Sequence, residues 1–196
     1  MLALASDEGL CALEFPRSYA ALKGPRYMSA ACSAALSGPR SERLGPRSDG
    51  ALHERLQRRL QRWFPPHDIV DRETPVLART REWLSAYFDG TRADVPAAGD
   101  VPLDLRGAPF ERRVWAALIE IPAGATASYG AIAAKLNAPG ASRAVGAANG
   151  ANPVSIIVPC HRVIGSSGKL TGYGGGLDRK KWLLDHEARW RNDRLF

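Results

Sequence analysis

Residues 89–102, DGTRADVPAAGDVP, constrain the fold of this chain more than any other stretch. Glycine and proline interrupt helix and strand alike, and a polar linker of this composition is where few contacts cross. The chain is therefore expected to fold as two units, one over 1–100 and a second over 103–196. A length of 196 residues suits one large domain or two small ones, and 45% apolar content is enough for a buried core.

The front unit reads as mixed α and β. Apolar runs at 2–5 and 10–15, separated by Ser6-Asp7-Glu8-Gly9, predict a strand hairpin. Residues 21–50 are rich in Gly, Pro, Ser and Arg and read as a long surface insertion. Leu52, Leu56, Leu60 and Trp63 recur at helical spacing over 51–63, and Pro65-Pro66 stops that helix. A second helix is expected over 75–88, with Leu77, Leu84 and Phe88 on one side.

The back unit reads as mostly helical. Pro109 opens a helix to about Glu120, with Phe110, Val114, Trp115 and Leu118 as its inner stripe, and Ile121-Pro122-Ala123-Gly124 ends it. Thr126 or Ser128 can cap a helix starting near Tyr129. Asn137-Ala138-Pro139-Gly140 then breaks the chain before a helix over 141–148, which is the outline of a helix-turn-helix. That last helix is built almost wholly of small residues, among them Ala141, Ala144 and Gly146, with Arg143 its one long cation. A slim helix suits close approach to a DNA minor groove about 6 Å wide, and an inserted side chain can fill the gap left by an extruded base. Tight helix packing explains the small residues equally well.

Charge is unevenly placed. Residues 1–100 hold 14 basic and 13 acidic side chains, whereas 101–196 hold 13 and 7. The basic excess of the second half favours a polyanion such as nucleic acid, or is simply an arginine-rich solvated surface.

Val154-Ser155-Ile156-Ile157-Val158, bracketed by Pro153 and Pro159, reads as a buried extended segment delivering Cys160 beside His161 and Arg162. A cysteine among such groups fits a nucleophile, because the thiolate is the reactive species and nearby positive or hydrogen-bonding groups favour it. Neighbours on an extended chain point oppositely, so a bridging water or a local turn is needed to couple Cys160 to His161. A buried structural cysteine is the competing explanation.

Cys11, Cys32 and Cys160 are odd in number and form no CxxC pair, which argues against a disulfide framework and for a reducing compartment. No run approaches the roughly 18 apolar residues of a membrane span. The start lacks a basic n-region and turns acidic at Asp7-Glu8, so no signal peptide is expected. A cytoplasmic location follows.

From Pro109 to Glu187 the chain resembles the O6-alkylguanine–DNA alkyltransferases, or methylated-DNA–protein-cysteine methyltransferases. The matching stretches are PFERRVWAALIEIPAGATASYGAIA, SRAVGAANGANPVSIIVPCHRVIGSSGKLTGYGGGL and KKWLL, with PCHRV the family's active-site motif. More weakly, ASDEGLCALEFP resembles the family's first hairpin, though the start is short for its first strand. The resemblance implies an α/β (α+β) fold: a small N-terminal α/β domain, ribonuclease H-like in its hairpin and helices, before a winged-helix-like C-terminal domain. It implies that Cys160 accepts the alkyl group, that His161 helps deprotonate it through a water, that Glu187 orients and charges His161, and that Asn152 braces the turn. Tyr129 would rotate the nucleotide and Arg143 would replace the flipped base, with Ser128, Ala141, Ala144 and Gly146 completing the DNA-contacting surface. Pro159, Val163, Tyr173 and Gly174 would line the pocket, Gly174 standing where some relatives carry a hydroxyl.

The implied partner is double-stranded DNA bearing O6-alkylguanine, and also O4-alkylthymine, met through the minor groove by a monomer without cofactor. Some relatives hold a structural zinc near the N-terminus, but the spacing of Cys11, Cys32, His53 and His67 fits no zinc pattern, so no metal is expected. The rival within the family is an alkyltransferase-like sensor that binds lesions without repairing them; such proteins lack the acceptor cysteine.

Overall fold

A computed structural model describes residues 2–14, 50–64, 73–89 and 97–192. The expected insertion at 21–50 (apart from Gly50, which begins a helix), Cys32, His67 and the middle of the expected linker lie outside these residues.

Strands β1 (Leu2–Ala5) and β2 (Leu10–Glu14) form the expected antiparallel hairpin, pairing Ala3 with Leu13 and Leu4 with Ala12. Ser6 closes its turn: the Oγ accepts from the Glu8 and Gly9 N–H groups and donates to Asp104 Oδ2 at 2.7 Å. All five residues of β2 are buried, because its second edge is also occupied. Leu10 N–H donates to Pro102 O (2.7 Å) and Leu10 O accepts from Asp104 N–H (3.0 Å). Further along, Leu13 N–H donates to Pro153 O and Leu13 O accepts from Ser155 N–H, both at 2.9 Å. The hairpin is thus stitched directly to the segment that leads to Cys160.

Helix α1 (Gly50–Trp63) buries Leu56 and Leu60 one turn apart and turns Gln57 and Arg58 outward. Arg59 leaves it to sit over the Trp115 ring, 5.3 Å from the centroid, a cation–π contact that ties α1 to the back half. Helix α2 (Pro75–Asp89) starts on Thr74, whose Oγ1 accepts from Leu77 N–H. Its buried stripe is Thr80, Trp83, Leu84 and Tyr87. The expected Leu77 and Phe88 are only half-buried, and the stripe is turned toward residues whose polar tips find partners. Trp83 Nε1 donates to Ala97 O, Thr80 Oγ1 to Val76 O, and Tyr87 to a carboxylate described below.

Helix α3 (Pro109–Ile119) has proline in its first turn, and the Glu111 carboxylate reaches back to accept the Ala108 N–H at 2.8 Å. Val114, Trp115 and Leu118 are buried as expected; Phe110 is half-buried. Helix α4 (Tyr129–Lys135) is capped by Ser128, whose Oγ accepts from Ala131 N–H. The turn after it uses left-handed backbone at Asn137 (φ 54°) and Gly140 (φ 88°), which Asn and Gly tolerate best. Helix α5 spans Ser142–Gly150, so it ends later than the small-residue run suggests. Trp115 Nε1 holds that end, donating to Ala148 O at 2.8 Å. Two-residue strands β3 (Ala127–Ser128) and β4 (Val163–Ile164) pair in parallel, and helix α6 (Leu177–Asn192) closes the described chain.

The architecture is mixed helix and sheet with helices predominating. One apolar cluster joins Leu10, Leu13, Trp83 and Tyr87 of the front half to Trp115, Ile157 and Leu183 of the back half. No described helix is long and apolar enough to cross a membrane.

Candidate active site

The segment before Cys160 departs from the expected extended strand. Val154 makes one bridge to Leu13, and the chain then turns at once, with Ile156 at φ 73°. A β-branched residue in the left-handed region is strained and persists only where its surroundings hold it there. Ile156 and Ile157 are fully buried, which supplies that hold. Asn152 supplies the rest: its Oδ1 accepts from Val154 N–H (3.0 Å) and its Nδ2 donates to Val158 O (2.8 Å), closing the loop from both sides. Pro153 and Pro159 carry no N–H, so the amide side chain does what backbone pairing cannot.

Cys160 opens a short 3-10 turn with His161 and Arg162 instead of ending a strand. Its N–H donates to Val158 O at 2.8 Å, and its carbonyl accepts from Asn149 Nδ2 of α5 at 3.3 Å. The residue is 5% exposed. Burial pushes the thiol up from its ordinary value, while the Asn152 side chain and the Lys180 charge pull it down less strongly. A thiol raised in this way favours its protonated form, so attack as a thiolate calls for a base nearby.

His161 is fully buried. Its Nε2 lies 2.8 Å from Glu187 Oε1, and its Nδ1 is buried without a partner among the described residues. An anionic Glu187 fixes the proton on Nε2 and leaves Nδ1 as an acceptor. Burial lowers the ring's affinity for a second proton, and Arg162 and Lys180 add to this against the pull of Glu187.

Glu187 is the hub. Besides His161, its carboxylate accepts from Arg162 Nε (2.9 Å) and Nη2 (2.8 Å), the Tyr87 hydroxyl (2.7 Å) and Gly124 N–H (2.9 Å). These donors hold it ionised, far below the usual carboxylate range, although it is wholly buried. Its charge is matched chiefly by Arg162, whose Nη1 also donates to Ile121 O at 2.6 Å. Glu187 faces the His161 ring and favours its protonated form, while burial acts against it more strongly.

The other expected residues are arranged around this core. Val163 and Pro159 are buried. Val163 O accepts from the buried Lys180 Nζ at 2.6 Å, and the same ammonium donates to Thr171 O at 2.8 Å, tying β4 to the loop that leads to Tyr173. The Tyr173 ring is half-buried, and a charge on Cys160 is felt at its hydroxyl. Gly174 is exposed. Tyr129, on the first turn of α4, accepts from Thr171 Oγ1 at 3.2 Å. Arg143 and Ala144 are exposed on α5, Ala141 is half-buried, and Gly146 faces the Tyr129 ring. Among the described residues no three His, Cys, Asp or Glu side chains gather as a metal site.

Sequence reasoning passed over Tyr87, Lys180 and Asn149, which had no local sign because their partners come from distant elements. Arg162 was singled out as a positive neighbour of Cys160, and the structure pairs its guanidinium with Glu187.

Known proteins resemble this chain over much of its length. Residues 109–189 match the family described as 6-O-methylguanine DNA methyltransferase, DNA binding domain. The methylated-DNA–protein-cysteine methyltransferase of Mycolicibacterium paratuberculosis is 63% identical over 133 residues, covering 67% of this chain and 78% of the relative. That of Salmonella typhimurium is 57% identical over 54% of this chain and 60% of its own length. A crystal structure of Mycobacterium tuberculosis OGT in complex with DNA shares 55% identity at a TM-score of 0.52, over 58% of this chain and 68% of that one. A crystal structure of a single-substitution variant of the M. tuberculosis O6-methylguanine methyltransferase aligns over 95% of this chain and 90% of its own, at 37% identity and TM-score 0.51. The chain belongs to the methylated-DNA–protein-cysteine methyltransferase family.

Proposed function

We propose that this protein repairs O6-alkylguanine in duplex DNA, and O4-alkylthymine by the same chemistry, by moving the alkyl group irreversibly to Cys160. The observation that carries the reading is a buried thiol one residue from a neutral histidine that has a free acceptor nitrogen and a fixed carboxylate behind it.

The chemistry follows from that arrangement. Guanine O6 is inaccessible within the stack, so the nucleotide must be extruded, at a cost of a few kcal/mol that is least for a damaged pair. Tyr129 and Arg143 stand on the first turn of α4 and the exposed face of α5, where they can turn the nucleotide and fill its place from the minor groove, with Ser128, Ala141, Ala144 and Gly146 allowing close approach. His161 Nδ1 takes the thiol proton through a water, and the thiolate attacks the alkyl carbon. The carbon–oxygen bond breaks, a thioether forms, and guanine leaves with the proton restored to it. Pro159, Val163, Tyr173 and Gly174 bound the base. A thioether has no easy route back, so one molecule repairs one lesion as a monomer, at the nucleoid in the cytoplasm.

The test is to incubate the protein with duplex DNA carrying O6-methylguanine and weigh the peptide that holds Cys160. A gain of one methylene, one equivalent per protein and absent in Cys160→Ala, is the expected result. Binding with no change of mass would assign the chain to lesion sensors instead. Repeated turnover of an ester or peptide would make it a thiol hydrolase.

A further inference from the structure

We propose that Tyr87 of α2 is a positioning residue for alkyl transfer, acting on His161 through Glu187; this rests on the reading of Cys160 as the alkyl acceptor. Tyr87 lies 100 residues before Glu187 and belongs to the front half of the chain. Its hydroxyl donates at 2.7 Å to Glu187 Oε1, the same oxygen that faces His161 Nε2 at 2.8 Å. Arg162 Nη2 reaches that oxygen as well, at 2.8 Å, so three donors fix its direction and divide its negative charge.

The backbone and ring of Tyr87 are themselves held from α6. His186, the residue before Glu187, places Nε2 at 2.7 Å from the Tyr87 carbonyl oxygen, so that nitrogen carries the proton and donates. Arg189 Nη2 occupies the other ring nitrogen at 2.8 Å, which settles the tautomer. Trp83 stacks on Tyr87 with centroids 5.3 Å apart, and Phe88 and Trp190 meet it edge-on at 5.1 and 5.3 Å. Phenylalanine would fill this aromatic box equally well. The hydroxyl is the part of the residue that addresses the site.

The groups facing Glu187 are His161 and Arg162 from the turn, Tyr87 from α2 and the Gly124 N–H after α3. His161 also faces Arg162 and Lys180, and Tyr87 also faces His186, Arg162 and Tyr173. Removing the phenol leaves Oε1 to His161 and Arg162. More negative charge then falls on the imidazole, which holds a proton to higher pH, and the carboxylate is freer to swing away from it.

The experiment is single-turnover transfer from O6-methylguanine duplex, read by the mass of the Cys160 peptide across pH, for wild type, Tyr87→Phe and Phe88→Leu. In Tyr87→Phe the acid limb of the rate profile moves to higher pH by roughly half a unit to one unit, and the plateau rate falls roughly three- to tenfold. Phe88→Leu loosens the same aromatic packing and lowers Tm but leaves the acid limb in place. Fluorotyrosine at position 87, a stronger donor of nearly the same shape, moves the limb to lower pH with the fold intact. An unchanged limb and a rate within about twofold of wild type in both position-87 variants would overturn the inference, as would an equal shift in Phe88→Leu. Wild type that never alkylates Cys160 would overturn the alkyl-transfer reading, and this inference with it.

Discussion

Replacing Glu187 by glutamine tests the central electrostatic arrangement. The carboxylate accepts from five donor atoms of Tyr87, His161, Arg162 and Gly124, and it is wholly buried. Glutamine has nearly the same shape but no charge, and its amide nitrogen presents hydrogens where one oxygen had accepted them. Arg162, 8% exposed, then keeps a buried positive charge with its Ile121 carbonyl contact but no anion. Removing one partner of a buried pair costs about 3–5 kcal/mol, because the other charge is left uncompensated. For a chain of this size each kcal/mol lowers Tm by roughly 2–4 °C, so the expected loss is on the order of 6–20 °C. Thermal and denaturant unfolding measure it, with an unchanged m-value showing that the folded and unfolded states are otherwise alike. Combining Glu187→Gln with Arg162→Met should recover part of the loss, giving a coupling of about 1 kcal/mol or more. If Glu187→Gln melts within a degree or two of wild type, or the double variant loses the sum of the singles, the paired buried charge is not what holds this site.

Two further outcomes are expected. Arg143→Ala should slow repair of duplex substrate far more than reaction with free O6-benzylguanine, since a side chain that takes the place of the flipped base acts only on duplex; equal slowing in a side-by-side rate assay would refute that proposed role. Stability should fall on acidification in two stages. His161 and His186 are held below their ordinary values in the fold, so the unfolded chain binds those protons first and stability drops as pH falls below about 6.5. Glu187 is held far lower still, so a second loss begins near its ordinary carboxylate value and continues downward. On the alkaline side Cys160 is raised and Cys11 is pushed up to about 11, so the fold retains protons the unfolded chain releases and stability declines above about pH 9. Denaturant midpoints across pH check this, and a flat response from pH 7 to 4 would contradict it.

Local pattern reached far into this protein because local physics made the elements it marks. Helical spacing of leucines produced α1, proline at its first turn placed α3, Ser128 capped α4, and Asn137 and Gly140 turned the chain before α5. PCHRV pointed to Cys160 and His161 by resemblance, and the two share a short 3-10 turn beside Glu187. The failures share a cause. The run 154–158 is apolar and β-branched enough for a strand, but its strand partner is a single residue of β2, and an asparagine outside the run turns it.

Sequence by itself determined the helices, the turn chemistry and the identity of the reactive sulfur, since each depends on residues a few positions apart. Tertiary structure alone decided the shifts in proton affinity of that sulfur and of the imidazole beside it. Those depend on burial and on a carboxylate whose partners Tyr87, Gly124 and Arg162 stand 100, 63 and 25 residues away. A pKa is set by what surrounds a group in space, and no periodicity along the chain encodes that distance.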